Sequence, residues 1–75
     1  MKLLITGGDG RLAHAIANAL SPEIAIRLVD FAFTAPLPTG VESLAGDICQ
    51  PEFAKQAVEG CDTLLHLAPR SEEHT

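Results

Sequence analysis

The chain has 75 residues, of which 47% are hydrophobic and 20% charged, and a formal net charge of -5. That length allows at most one small domain, burying roughly 60 to 65% of its extended-chain surface, and the apolar content argues for a packed core over a disordered tail. The negative charge argues against nucleic acid, which is held by basic side chains on phosphates, but not against a nucleotide held by backbone amides. Two cysteines twelve positions apart, Cys49 and Cys61, carry no Cys-x-x-Cys and no paired histidine spacing, so neither a metal site nor a disulfide framework is expected. They read as small, buried, reduced residues. Only three apolar residues separate Lys2 from Thr6, too few for a signal-peptide core, and no run of 18 apolar residues occurs, so a cytoplasmic chain without membrane contact is expected.

The elements follow in chain order. Leu3-Leu4-Ile5 reads as a strand that runs into Thr6-Gly7-Gly8-Asp9-Gly10-Arg11-Leu12-Ala13. A helix is predicted over Arg11 to Leu20, with Leu12, Ile16 and Leu20 recurring every four positions among alanines, and Ser21-Pro22 ends it. Ala25 to Val29 is a second strand that stops at Asp30, and a loop rich in proline and threonine runs from Phe31 to Gly40. Val41 to Ala45 is a weaker third strand, broken by Gly46-Asp47. Pro51 suits the first turn of a second helix with Phe53, Ala54, Ala57 and Val58 on its apolar face, and Gly60 ends it. Thr63 to Leu67 is the fourth strand. This order predicts an α/β chain, an incomplete half of a doubly wound Rossmann-like fold: a parallel sheet of about four strands, buried on both faces, in spatial order 3-2-1-4 with two helices. Strand four would then have an open edge, which invites self-association into a homo-oligomer.

The glycine turn carries the first chemical signal. A tight strand-to-helix turn needs residues without a Cβ, and the helix that follows leaves its first N–H groups free to hold an anion. Gly8-x-Gly10-x-x-Ala13 fits the general dinucleotide fingerprint, and Thr6-Gly7-x-x-Gly10-x-x-Ala13 a short-chain dehydrogenase version of it. The bland alternative is glycines chosen for tightness alone. Asp30 weighs against that alternative, because it ends the second strand twenty residues after Gly10, where a carboxylate can accept from adenosine ribose hydroxyls.

With Leu28-Val29-Asp30, Gly46-Asp47-Ile48 and His66-Leu67-Ala68 in the same order, the chain resembles the extended short-chain dehydrogenase/reductase family from Lys2 to about Ala68. Members include NAD-dependent epimerases, dehydratases and sugar dehydrogenases. The resemblance implies that Gly7 and Gly10 shape the turn, that the amides of Arg11 and Leu12 meet the pyrophosphate, and that Asp30 and Phe31 meet the ribose. It further implies that Asp47 accepts from the adenine amino group, the Ile48 amide donates to the ring, and Leu67 and Ala68 line the nicotinamide path. A dinucleotide is the implied partner, NAD in preference to NADP, because a 2′-phosphate about 4 Å from Asp30 would cost about 4 kcal/mol at an effective dielectric of 20. Arg11 is a mild counter-hint, since it could reach a phosphate.

Some residues depart from the pattern or have two readings. Ala13 stands for the usual last glycine, predicting slightly wider helix packing. Asp9 is awkward beside a phosphate, so it is expected to face solvent or cap the helix. Gln50 is a poor N-cap. Asp47 could simply be a turn residue, Phe31 and Phe33 could border adenine or pack the loop, and His66 reads as a hydrogen-bonded structural histidine before a catalyst.

The resemblance also implies catalysis by a tyrosine with a lysine four residues later, and the chain has no tyrosine. No catalytic residue is therefore assigned. The expectation is the N-terminal, cofactor-holding part of a longer enzyme, whose sugar or nucleotide-sugar substrate would be met only by the rest of the protein. The competing reading is a non-catalytic NAD(P)-sensing or interaction module of the same fold. Flavin binding fits less well, given Thr6 and Asp47-Ile48.

Overall fold

The computed structural model describes residues 1–34 and 36–67. Strand β1 (Lys2–Thr6) leads into helix α1 (Arg11–Leu20), then β2 (Ala25–Asp30), β3 (Glu42–Ala45), helix α2 (Pro51–Val58) and β4 (Thr63–His66). All pairings are parallel and the order is β3-β2-β1-β4, as the alternation of elements predicted. Each predicted element is present, with strand ends shifted by at most one residue.

The period-two alternation of the central strands divides the core into two layers. Leu3, Ile5, Ile26 and Leu28 point to one face, where Ala13 and Ala17 of α1 cover them. Leu4 and Val29 point to the other, under Ala57 of α2 with Phe53 and Ile48 beside it. Leu4, Ile5, Leu28 and Val29 are fully buried, and each contributes about 1.5–3 kcal/mol by leaving water. Only β1 and β2 are covered in this way. Contrary to expectation, β3 and β4 are mostly exposed, and Leu64 in β4 is 56% exposed. The physical reason is position: both are edge strands, and two short helices shield the centre of the sheet first.

Strands β2 and β3 are parallel, so the link between them must cross a sheet face, yet its described residues form no helix. Phe33, Leu37 and Val41 take the place of one by packing onto the α1 layer. That explains why a proline-rich stretch can sit here, since it needs apolar contact but no ladder hydrogen bonds.

A polar clamp closes the opposite end of the sheet. The Arg27 guanidinium, on β2, donates to the carbonyls of Ala57 and Glu59 at 2.7 and 2.8 Å, answering the unpaired C-terminal carbonyls of α2. It also pairs with Glu42 of β3 at 2.9 Å, and Lys2 of β1 reaches the same carboxylate oxygen at 2.8 Å. Hydrogen bonds from Lys2 first, then from Arg27, hold the Glu42 carboxyl below its ordinary value of 4.5. A carboxyl whose folded value is depressed stabilises the fold above its unfolded value and loses that contribution as pH falls through the folded one. Glu42→Gln is therefore expected to lower stability at neutral pH by less than about 1 kcal/mol, the Glu42 carboxylate itself being exposed to solvent, and to converge with the parent in acid. Urea unfolding across pH 3 to 7 checks this, and an undiminished difference in acid contradicts it.

Candidate dinucleotide site

The site grows from the turn between β1 and α1. Gly7 lies at φ +72°, in the left-handed region, and a Cβ there would stand 2.0 Å from the Leu67 carbonyl oxygen. At Gly8 a Cβ would meet Leu28 Cβ at 2.7 Å and the Val29 nitrogen at 2.8 Å, while the Gly8 amide donates to the Val29 carbonyl at 2.8 Å. These two glycines let the turn press onto β2 and the end of β4. Gly10 differs from both. Its φ is -78° and a Cβ would make one ordinary contact, 3.4 Å to the Gly7 carbonyl oxygen.

Gly10 is also the N-cap of α1, and no side chain caps that helix. Among the described residues, the amides of Arg11 and Leu12 have no acceptor, and both residues are exposed, Leu12 by 59%. A serine, threonine or aspartate at the cap would satisfy one such amide, so the bare terminus leaves its donors and its positive dipole end open to an anion.

Beside the turn, at the C-terminal ends of the strands, a cleft of about 240 Å³ is lined by Thr6 and Gly7 of the turn, Val29, Asp30 and Phe31, Gly46, Ile48 and Cys49, and His66 and Leu67. It spans all four strand ends, which is where open α/β sheets bind ligands. Asp30 stands at the end of β2 as its position in the sequence predicted. Its Oδ1 accepts from the Phe31 amide at 2.7 Å and its Oδ2 from the Asp9 amide at 3.0 Å. A carboxylate oxygen accepts more than one bond, so both retain capacity for a diol.

The structure thus brings Gly7, Asp30, Phe31, Ile48 and Leu67 to one cleft, with Gly10, Arg11 and Leu12 in the adjoining first helical turn. Asp47 is not in the lining; its Oδ1 accepts from the Cys49 amide at 2.9 Å, the turn role that the sequence left open. Ala68 lies outside the described residues. Two expectations are corrected. Asp9 neither caps α1 nor faces solvent alone, because its carboxylate accepts from the Thr34 amide at 3.0 Å and the Thr34 hydroxyl at 2.8 Å. Cys49 is exposed in the cleft wall, since it precedes α2 and stands outside its apolar stripe, whereas Cys61 is half-buried. Ala13 is wholly buried in the α1 layer.

Other parts of the site escaped the sequence. Gly8, not Gly10, makes the closest backbone approach to β2. Gly46 leaves room for the Phe53 ring, 2.5 Å from where a Cβ would stand. Thr6 Oγ1 and His66 Nδ1 share a hydrogen bond that ties β1 to β4 at the cleft floor. The fingerprint already included Gly8 but not its contact with β2; the Thr6–His66 bond needed the register, which pairs these two residues directly. Among the described residues no group of three or more metal-ligating side chains gathers, and no helix is long and apolar enough to cross a membrane.

Comparison with solved structures bears directly on this arrangement. Uronate dehydrogenase from Agrobacterium tumefaciens, a mutant complexed with NAD, superposes with a TM-score of 0.74 at 30% identity over 88% of this chain and 25% of its own. A Rossmann-fold NAD(P)-binding family protein from Shigella flexneri gives 0.77 at 26% identity, over 89% of this chain and 36% of its own. These likenesses to an NAD-complexed dehydrogenase and a Rossmann-fold NAD(P)-binding protein agree with the resemblance to the extended short-chain dehydrogenase/reductase family that the motifs carry. A curated protein, 2-alkyl-3-oxoalkanoate reductase from Shewanella oneidensis, is 36% identical over 70 residues, covering 89% of this chain and 18% of that protein. No family model matches the chain. The chain spans about a fifth of that curated relative and a quarter of the uronate dehydrogenase, so the likeness concerns only a part of each of those proteins.

The three glycines separate fold from ligand. Gly8→Ala forces a Cβ into Leu28 and is expected to cost about 1–3 kcal/mol or more, whereas Gly10→Ala changes stability by less than about 1 kcal/mol. Thermal unfolding of the two variants checks this; equal losses contradict it.

Proposed function

We propose that the chain is the N-terminal, NAD-binding part of a Rossmann domain in an NAD-dependent epimerase, dehydratase or sugar dehydrogenase. The observation that carries this reading is Gly10. Its backbone conformation and its surroundings both admit a side chain, and a capping residue would stabilise α1 better, so its bare Cα is accounted for by a ligand that must approach there. The pyrophosphate would lie on the Arg11 and Leu12 amides, the adenosine ribose on Asp30 beside Phe31, and adenine by Ile48, with Asp47 near its amino group. Leu67 and Ala68 would face the nicotinamide side. When bound, NAD supplies the hydride acceptor.

The named relatives support assigning this segment to the cofactor. A uronate dehydrogenase and a 2-alkyl-3-oxoalkanoate reductase differ in substrate by name, yet both share this segment with the chain. The substrate, taken here as a sugar or nucleotide-sugar, and the proton-transfer group would come from elsewhere in the full-length protein, because these 75 residues contain no tyrosine. The second reading, a non-catalytic NAD(P)-sensing module, is favoured by that same absence. A Tyr-x-x-x-Lys segment in the full-length sequence decides for the enzyme.

Asp30 also sets the cofactor. Calorimetric titration of the full-length protein is expected to show NAD bound more tightly than NADP. Asp30→Ala should weaken NAD by roughly 10- to 100-fold, the loss of hydrogen bonds to a charged group, and narrow the preference. An unchanged preference in that variant contradicts the assignment.

A further inference from the structure

We propose that Asp9 is a positioning residue for the adenosine-ribose site, acting as a latch that holds the β2–β3 crossover against the glycine turn. The proposal rests on the cofactor reading above. Asp9 occupies the one position of the turn where a negative charge opposes an incoming phosphate, and the structure shows what it does there. Its side chain grips Thr34 twice, through the amide at 3.0 Å and the hydroxyl at 2.8 Å. Its own amide donates to Asp30 Oδ2 at 3.0 Å, and Asp30 Oδ1 accepts from Phe31 at 2.7 Å.

These bonds form a closed ring: Asp9 main chain to Asp30, along the chain to Thr34, and back to the Asp9 side chain. Asp30 is thereby held at both oxygens, and Phe31, whose side chain is 70% exposed in the cleft wall, is fixed between two anchored points. Among the described residues, Phe31 packs against neither core cluster. Without the latch, the polar hold on the first four residues of the crossover would be at the Asp30 end, with Phe33 packed on the α1 layer, and fixing the backbone around Phe31 would be charged against nucleotide binding. With the latch closed, that ordering precedes the ligand. The paired donors on Thr34 suit a carboxylate, which can accept from both at once.

The test is a titration of the full-length protein with NAD and, separately, with 5′-AMP. Asp9→Ala is expected to weaken both ligands by the same factor, about tenfold, and Thr34→Val, which keeps the amide but loses the hydroxyl, by about threefold. The double variant should bind like Asp9→Ala alone, because the Thr34 hydroxyl acts through the Asp9 carboxylate. Asp9→Asn, which retains an acceptor oxygen, should bind within about threefold of the parent, and ligand-free melting temperatures should stay within about 3 °C. Unchanged affinity in Asp9→Ala, additive losses in the double variant, or an Asp9→Asn as weak as Asp9→Ala each overturns the latch. A parent protein that binds neither NAD nor 5′-AMP overturns the cofactor reading itself, and the latch with it.

Discussion

Backbone presses on backbone where β1 runs into α1, and the remainder of the molecule is arranged around that contact. Gly8 is held against β2 by its hydrogen bond to the Val29 carbonyl, and Gly7 lies under the Leu67 carbonyl at the end of β4. Neither approach survives a Cβ. Because the turn is this tight, α1 starts directly over the ends of β1 and β2, its first amides face outward, and the strand ends open into a cleft instead of being covered by a longer loop.

The polar groups divide between the two ends of the sheet, and the division has a physical sense. At the strand N-termini, Lys2, Arg27 and Glu42 pair with one another and with the last carbonyls of α2, satisfying charges locally and holding three strands and a helix together. At the C-termini, Asp30 is anchored by backbone amides but keeps accepting capacity, and the first donors of α1 have no acceptor among the described residues. One end is closed on itself. The other leaves a carboxylate and backbone donors at its surface, the groups that the proposed dinucleotide would meet.

Much of this was legible in the residues. The strands and helices follow from runs such as Leu3-Leu4-Ile5 and from the punctuation of Pro22, Gly46, Pro51 and Gly60, and the 3-2-1-4 order follows from parallel strands joined by handed crossovers. Asp30 was found because a strand end and a chain distance define it. Asp9, Arg27 and Cys49 were not, since each has its role through residues far along the chain: Thr34, the carbonyls of Ala57 and Glu59, and the cleft formed by all four strand ends. No local pattern encodes such contacts. The exposure of β3 and β4 escaped for a related reason, as burial depends on how far two short helices reach across a sheet, not on the strands' own composition.

The account holds that this segment binds a dinucleotide through bare backbone at the start of α1 and a carboxylate at the end of β2. The most direct measurement is amide NMR of the isotopically labelled protein during addition of NAD. The account predicts the largest shift changes at Gly10, Arg11, Leu12 and Phe31, with the Arg27 clamp at the far end of the sheet unmoved. Saturating NAD that leaves the Gly10 to Leu12 amides unperturbed would contradict it.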